Sequence, residues 1–325
     1  MKEVAIGIDI GGTFTKFGFV DIDGETIGDS SIETTGHKDV QSYLEALAHS
    51  IHETQRKLNV KVNPVGVGIG APNGNYYNGT VEYAPNLNWK GVVRVVELFS
   101  KYFTIPITLT NDANAAAIGE MVYGGAKNMK DFVVITLGTG LGSGIVSNGE
   151  MVYGHDGFAG EVGHVQAIPN GRLCGCERRG CLETYASASG IRRTVFELLC
   201  NETAPSRLRD VSFHDMTAKL IADEAINGDE IAIKAFHFTG TILGTKLADT
   251  VAHTSPEAIF LFGGLVNAGD LLFKPTIESF ENSLLKIYKN KIKILPSGLK
   301  EHNAAVLGAS ALVWKELGKS VSASI

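Results

Sequence analysis

Two stretches of this chain repeat one unusual pattern, and the repeat constrains the fold more than any other feature. Residues 4–25 read VAIGIDIGGTFTKFGFVDIDGE and residues 131–150 read DFVVITLGTGLGSGIVSNGE. Each is an apolar strand, a turn rich in glycine and threonine, a second apolar strand, and then Asp-Gly-Glu or Asn-Gly-Glu. Asp23-Gly24 and Asn148-Gly149 are tight-hairpin signals, so both stretches read as β-hairpins with glycine-rich tips. A dinucleotide-binding fingerprint requires a helix directly after its glycines, whereas a strand follows here both times. A Walker loop requires Gly-Lys-Ser or Gly-Lys-Thr before a helix, which neither stretch has. Glycine lets backbone N–H groups approach phosphate oxygens closely, and Thr13 and Thr139 add hydroxyl donors at the tips. Two such hairpins facing each other across a cleft would clamp a nucleotide triphosphate.

Around the hairpins the pattern alternates between strand and helix. Residues 40–60 carry Leu44, Leu47, Ile51 and Leu58 near a helical period. Residues 65–72 read as a buried strand, 92–102 as a helix, and ITLT (107–110) as a strand that ends at Asn111-Asp112. Helices are expected at 113–121, 187–200, 213–225, 229–252 and 304–317, with a buried strand at 258–265 capped by glycines. The sum is an α/β chain of two lobes with mixed sheets. At 325 residues it is long enough for two domains with separate cores. A net charge of −6 argues against a nucleic-acid surface, and no apolar run approaches the ~18 residues of a membrane span. The N-terminus passes from one lysine straight into strand and glycines, unlike a signal peptide, so the cytoplasm is the expected compartment.

That compartment bears on the cysteines. Cys174, Cys176 and Cys181 fall within eight residues, and only Cys200 lies elsewhere. A disulfide, a metal and reduced surface thiols are the alternatives, and a reducing compartment disfavours the first. With His164 the three cysteines make a Cys₃His set suited to tetrahedral zinc, and Gly175 and Gly180 permit the tight backbone that the spacing demands. Asp112 has two readings from position alone, an N-cap for the following helix or a carboxylate presented for chemistry.

The motifs DIGGT, TNDANAAAIGE, LGTGLGSG, GEVGH, CGCERRGCLE, LFGGL and HNAAVLGASAL together resemble those of the ROK sugar kinases, in family order and over nearly the whole chain. These kinases belong to the actin-like ATP-binding superfamily. The resemblance implies a two-lobed actin-like fold of duplicated ribonuclease-H-like halves, with mixed sheets and a cleft between lobes. The expected division is residues 1–112 with 303–325 as a small lobe and 113–302 as a large one. It implies ATP-dependent phosphorylation of a hexose 6-hydroxyl, with glucose the leading substrate, in carbohydrate metabolism. An N-acetylglucosamine or N-acetylmannosamine kinase is the alternative. A sugar-responsive repressor is the non-enzyme alternative, disfavoured because the chain reaches its first strand by Val4 with no basic module before it.

The same resemblance assigns the residues. Asp112 is the general base, and Asn86, Asn111, Asp112, Glu161, His164 and Glu183 bind the sugar. Asp9 organises Mg²⁺ or its waters beside the first phosphate turn of Gly11, Gly12, Thr13 and Lys16. Gly138, Thr139, Gly140 and Gly142 form the second turn, and Gly263 and Gly264 border the adenosine of ATP. His164, Cys174, Cys176 and Cys181 hold a structural Zn²⁺, which leaves the other ring nitrogen of His164 for a sugar hydroxyl. The implied assembly is a homodimer or a dimer of dimers. Three positions differ from the common family pattern: Phe14 stands where many members have lysine, Leu265 where a third glycine is frequent, and Glu177 where glycine usually follows the second cysteine. Arg178, Arg179, His49 and His52 read as surface residues.

Overall fold

The computed structural model describes residues 1–299 and 304–318 and divides them into two compact units. Unit 1 comprises Met1–Met129, Glu150–Gly160 and the described residues from Ser297 onward; unit 2 comprises Lys130–Gly149 and Glu161–Pro296.

Unit 1 is built on strands β1 (Lys2–Ile10), β2 (Phe14–Val20), β3 (Thr26–Glu33), β4 (Val62–Ala71) and, after three short strands, β8 (Ile107–Asn111). The order across the sheet is β3-β2-β1-β4-β8. β1 pairs antiparallel with β2 and parallel with β4, and β4 pairs parallel with β8. The short strands β5 (Gly74–Asn75), β6 (Thr80–Glu82) and β7 (Val92–Val93) form a separate antiparallel sheet, and β11 (Glu150–Met151) lies further along the chain. Helix α1 (Val40–Lys57) begins at a capping box in which Asp39 accepts from the Ser42 N–H, 2.8 Å, and Ser42 Oγ accepts from the Asp39 N–H. It buries Tyr43, Leu44, Leu47, Ala48 and Ile51 against the sheet, the face that the sequence period marks. Helix α2 covers only Val95–Phe99 because Val92 and Val93 are drawn into the small sheet, so the single helix expected at 92–102 does not form.

Helix α3 (Asp112–Val122) and the C-terminal helix α8 (Ala304–Glu316) pack on each other and on β4 at unusually close range. A methyl group added at Gly308 would lie 2.7 Å from the Ala115 carbonyl carbon, and one at Gly68 would strike the Ala309 carbonyl. This packing keeps residues 113–129 with unit 1, so the division falls after Met129 and not at residue 112. At the other end it falls at Ser297, before residue 303, which like 319–325 lies outside the described residues. Glu120 secures the return of the chain to unit 1: its buried carboxylate accepts from Gly125 N–H, Gly298 N–H and Ser297 Oγ at 2.6–2.7 Å.

Unit 2 repeats the plan. Strands β9 (Phe132–Leu137) and β10 (Leu141–Ser147) are antiparallel, β9 pairs parallel with β12 (Ala258–Phe262), and β12 pairs parallel with β13 (Lys293–Pro296). Both glycine hairpins are therefore present. Each sheet has a central strand with an antiparallel partner on one side and a parallel partner on the other. Helices α4 (Ala188–Asn201), α5 (Ala218–Ile226), α6 (Glu230–Thr254) and α7 (Asp270–Ser283) enclose a second core. α5 starts five residues later than its apolar pattern suggests because Thr217 caps it, accepting from the Leu220 N–H. None of the helices among the described residues is long and apolar enough to cross a membrane.

Gly308→Ala tests the close packing of α3 and α8. Helix propensity alone favours alanine by about 0.5–1 kcal/mol, but overpacking against the Ala115 peptide costs about 1–3 kcal/mol. Net destabilisation is expected in urea unfolding; a more stable variant would show that the helices have room to spare.

Candidate active site

In each unit the candidate residues gather where parallel strands end, the edge of an α/β sheet at which ligands commonly bind. In unit 1, Asp9 is the penultimate residue of β1, in register with Lys16 on β2 and Gly70 on β4. Asp112 follows the last residue of β8. Gly70 lies between them, its Cβ position 3.6 Å from the Asp112 Cα. The two carboxylates are close enough to repel, and with burial as the larger cause this pushes Asp9 up to about 6, against the pull of the Lys16 ammonium.

The structure separates the two readings of Asp112. The N-cap of α3 is Asn111, whose backbone is extended (φ −63°, ψ 147°) and whose Oδ1 accepts from the Ala113 N–H at 2.8 Å. Asp112 is thus the first helical residue. Its carboxylate also accepts from the Ala113 N–H, 2.8 Å, and keeps accessible surface. Surrounding protein raises its pKa above the usual carboxylate range, and its backbone hydrogen bonds oppose the rise.

The first glycine turn is fixed from below. Thr15 is buried and its hydroxyl bonds to Thr34 Oγ1 and Tyr43 Oη at 2.8 and 2.7 Å, while the Thr34 N–H donates to the Thr13 carbonyl. Thr13, Phe14 and Lys16 are exposed above it. Asn86 sits in the loop between β6 and β7, and its carbonyl oxygen would lie 2.9 Å from a Cβ at Gly12, so unit 1 brings Asn86 against the turn.

Unit 2 assembles the remaining candidates. The Ala188 and Ser189 N–H groups at the start of α4 donate to the Gly138 and Thr139 carbonyls, 2.9 and 3.4 Å. With those carbonyls tied to the helix, the turn is a suitable anion cradle for its remaining N–H groups. Gly263, with φ +106°, packs against the Leu137 carbonyl one residue before the turn. A side chain there would collide with that carbonyl, so the glycine pair and the second turn occupy one end of the sheet.

His164, Cys174, Cys176 and Cys181 converge, their ligand atoms all within 4.8 Å of one another. The Cys176–Cys181 Sγ distance is 3.6 Å and Cys174 Sγ lies 3.7 Å from His164 Nδ1. A tetrahedral ion with Zn–S near 2.3 Å requires S···S edges of about 3.8 Å, so the four residues fit zinc. Burial pushes the Cys174 thiol up, which makes a thiolate at that position dependent on a cation. With Nδ1 turned to the cysteines, His164 Nε2 points toward Glu161, 4.0 Å from its carboxylate. Glu183 lies on the other side: Oε1 is 2.9 Å from Cys174 Sγ and 3.9 Å from His164 Nδ1, and Oε2 accepts from the Leu141 N–H at 3.4 Å. Glu161, His164 and Glu183 therefore form one group at the metal-ligating cluster. Glu183 also touches the second glycine turn, a link that no spacing in the sequence signals.

Two further residues matter here. Glu177 adopts φ +68°, the left-handed region that favours glycine, which accounts for the glycine common at this position. Arg172, with no signal in the sequence, is 8% exposed and hydrogen-bonded throughout. Arg178 and Arg179 are exposed as expected, and Cys200 on α4 is exposed as well.

The sheet order and glycine hairpins, repeated in two units, define the duplicated α/β fold of the actin-like class. Residues 5–316 match the ROK family. The glucokinase of Thermotoga maritima is 32% identical over 321 residues, 98% of this chain and 99% of that protein. The crystal structure of a ROK family glucokinase from Streptomyces griseus in complex with glucose and AMPPNP matches with a TM-score of 0.81 at 30% identity, covering 95% of this chain and 98% of that one. The N-acetylglucosamine repressor of Escherichia coli O6:H1 is 30% identical over 322 residues, 96% of this chain and 76% of the repressor. The chain belongs to the ROK family.

Two stability measurements follow from these environments. Burial favours the protonated form of Asp9 in the fold. The penalty for its charge is therefore absent below about pH 4, grows up to its pKa of about 6, and is complete above that. A rise from 3.8 to about 6 corresponds to about 3 kcal/mol, so Asp9→Asn in metal-free buffer is expected to gain about 2–3 kcal/mol at pH 8 and nothing at pH 3.5. A pH-independent effect would contradict the assignment. Glu177→Gly removes left-handed strain and is expected to add about 0.5–1 kcal/mol to the urea stability of the metal-loop unit; a loss would mean the glutamate is needed there.

Proposed function

We propose that this ATP-dependent sugar kinase phosphorylates a hexose at its 6-hydroxyl, with glucose the preferred substrate and Asp112 the general base. The observation that carries the role of Asp112 is the division of labour at the start of α3. Asn111 caps the helix, so the neighbouring carboxylate is available for a proton. Its pKa, raised above the usual carboxylate range, makes its carboxylate a stronger base.

In this reading Asp112 accepts the proton of the attacking hydroxyl as the oxygen bonds to the γ-phosphorus and the bond to the β-phosphate oxygen breaks. The backbone N–H groups of each glycine turn suit phosphate oxygens, and Lys16 adds a positive charge beside the first turn. Asp9 would orient waters of Mg²⁺, which would supply neutralising charge for the phosphates when bound. Of the residues proposed to bind sugar hydroxyls, Glu161, His164 Nε2 and Glu183 lie in unit 2, and Asn86 and Asn111 lie in unit 1. His164, Cys174, Cys176 and Cys181 would hold zinc, whose contribution is structural: it fixes the tautomer and angle of His164.

Glucose is favoured by the names of the relatives similar over almost the full chain, from Thermotoga maritima and Streptomyces griseus. Likeness to an N-acetylglucosamine repressor supports the second reading, an N-acetylhexosamine kinase. ADP release measured over glucose, mannose, fructose, N-acetylglucosamine and N-acetylmannosamine separates the two. Glucose is expected to give the highest kcat/KM, and activity on none of the five would reject the kinase reading. In the same assay Asp112→Asn is expected to lower kcat by about 10²- to 10⁴-fold with sugar and nucleotide affinity changed little. Turnover near that of the parent protein would remove Asp112 as the base.

A further inference from the structure

Arg172 precedes the first cysteine ligand by two residues and is buried on the underside of the metal loop. All five guanidinium N–H donors have acceptors. Nε donates to Glu197 Oε1 at 2.8 Å and Nη2 to Glu197 Oε2, which makes the pair bidentate. Nη1 donates to the Thr184 and Gly190 carbonyls at 2.7 and 3.1 Å, and Nη2 also to Thr194 Oγ1 at 3.0 Å. The guanidinium carbon lies 4.5 Å from the centre of the Tyr185 ring, whose hydroxyl accepts from the Arg172 backbone N–H. Only a planar five-donor fork can hold this set of acceptors at once.

The acceptors come from places that matter for the site. Thr184 follows Glu183 directly, and its hydroxyl donates to the carbonyl of the ligand Cys181 at 2.7 Å. Gly190, Thr194 and Glu197 lie on one face of α4. The first turn of that helix carries the Ala188 and Ser189 N–H groups that hold the Gly138 and Thr139 carbonyls. The backbone on the other side is held as well, since the Gly180 N–H donates to the Arg172 carbonyl at 2.8 Å. A continuous set of hydrogen bonds thus runs from the cysteine loop through one guanidinium to the start of α4 and the second glycine turn.

We propose that Arg172 is a positioning residue that couples the Cys₃His site to the second glycine turn, so that zinc and nucleotide each strengthen binding of the other. The inference rests on the reading of that turn as a nucleotide site. A metal that fixes Cys174 and Cys181 fixes the backbone on both sides of Arg172. The fork then transmits that order to α4, whose N-terminus sets the carbonyls of the turn. Coupling between two binding sites is reciprocal, so nucleotide must tighten zinc by the same factor as zinc tightens nucleotide.

The test is titration calorimetry with ADP on zinc-loaded and chelator-stripped protein, with zinc affinity measured by competition with and without ADP. Stripping is expected to weaken ADP binding of the parent protein about 5- to 10-fold, and saturating ADP to tighten zinc by the same factor. Arg172→Gln should still bind ADP, with both ratios close to one. Arg172→Lys keeps the charge but not the fork and should lose most of the coupling. Glu197→Ala removes an acceptor at the exposed end of the network, with less risk to folding, and should reduce the ratio at least threefold. Equal ADP affinity with and without zinc in the parent protein overturns the proposal, as does an undiminished ratio in the folded Arg172→Gln or Glu197→Ala variant. Failure of the zinc-loaded parent to bind ADP at all overturns the nucleotide reading and the coupling together, an outcome distinct from binding without coupling.

Discussion

Each unit depends on one strand that is hydrogen-bonded on both sides, antiparallel to its hairpin partner and parallel to the next strand in the sheet. In unit 1 this strand is β1 and in unit 2 it is β9. A strand with both edges paired is buried and fixed in register, because a slip of one residue would turn its apolar side chains to the wrong face. Its last residues are therefore placed with little freedom. The glycine turn that follows inherits that precision, as do Asp9 before the first turn and Leu137 before the second. The site residues that come from elsewhere, Asp112 after β8 and Gly263 after β12, arrive on strands of the same parallel sets.

Much of this was legible in the sequence because it is local. A strand, a glycine turn and a strand need no distant partner to be recognised, and the cysteines of the metal-ligating set lie within eight residues. The parts that could not be read are those in which one residue answers to several distant ones. Arg172 serves Thr184, Gly190, Thr194 and Glu197, positions with no shared spacing. Glu120 ends a helical motif in the sequence, and its role in holding Ser297 and Gly298 depends on partners 177 and 178 positions further along the chain. The boundary between units escaped for a similar reason, since it is set by glycine and alanine contacts between α3 and α8. Strand β3 is not signalled in the sequence, because its half-exposed Thr-Ile-Gly-Asp-Ser-Ser-Ile-Glu run carries few apolar residues.

The departures from the family pattern have different physical meanings. Phe14 is exposed on a turn whose cation is supplied by Lys16, in register with Asp9. Leu265 is buried in the core of unit 2 and is the second residue of the short helical turn Gly264–Ala268. Of the three, Glu177 alone carries backbone strain, and it is exposed. Its backbone N–H donates to the Cys174 carbonyl at 3.0 Å, so the strain bears on how readily the loop forms.

The packing of α8 has a consequence for how the chain is made. Gly68 and Gly308 let α8 lie directly on strands and a helix formed from the first 122 residues. During synthesis the early strands therefore emerge with part of their apolar face open. They remain so while the intervening segment, most of it unit 2, is translated and released. The core residues of unit 2 all precede α8 in the chain, whereas unit 1 lacks a packing layer until α8 itself has emerged. The order of emergence thus makes the half that is encoded first the half that is completed last.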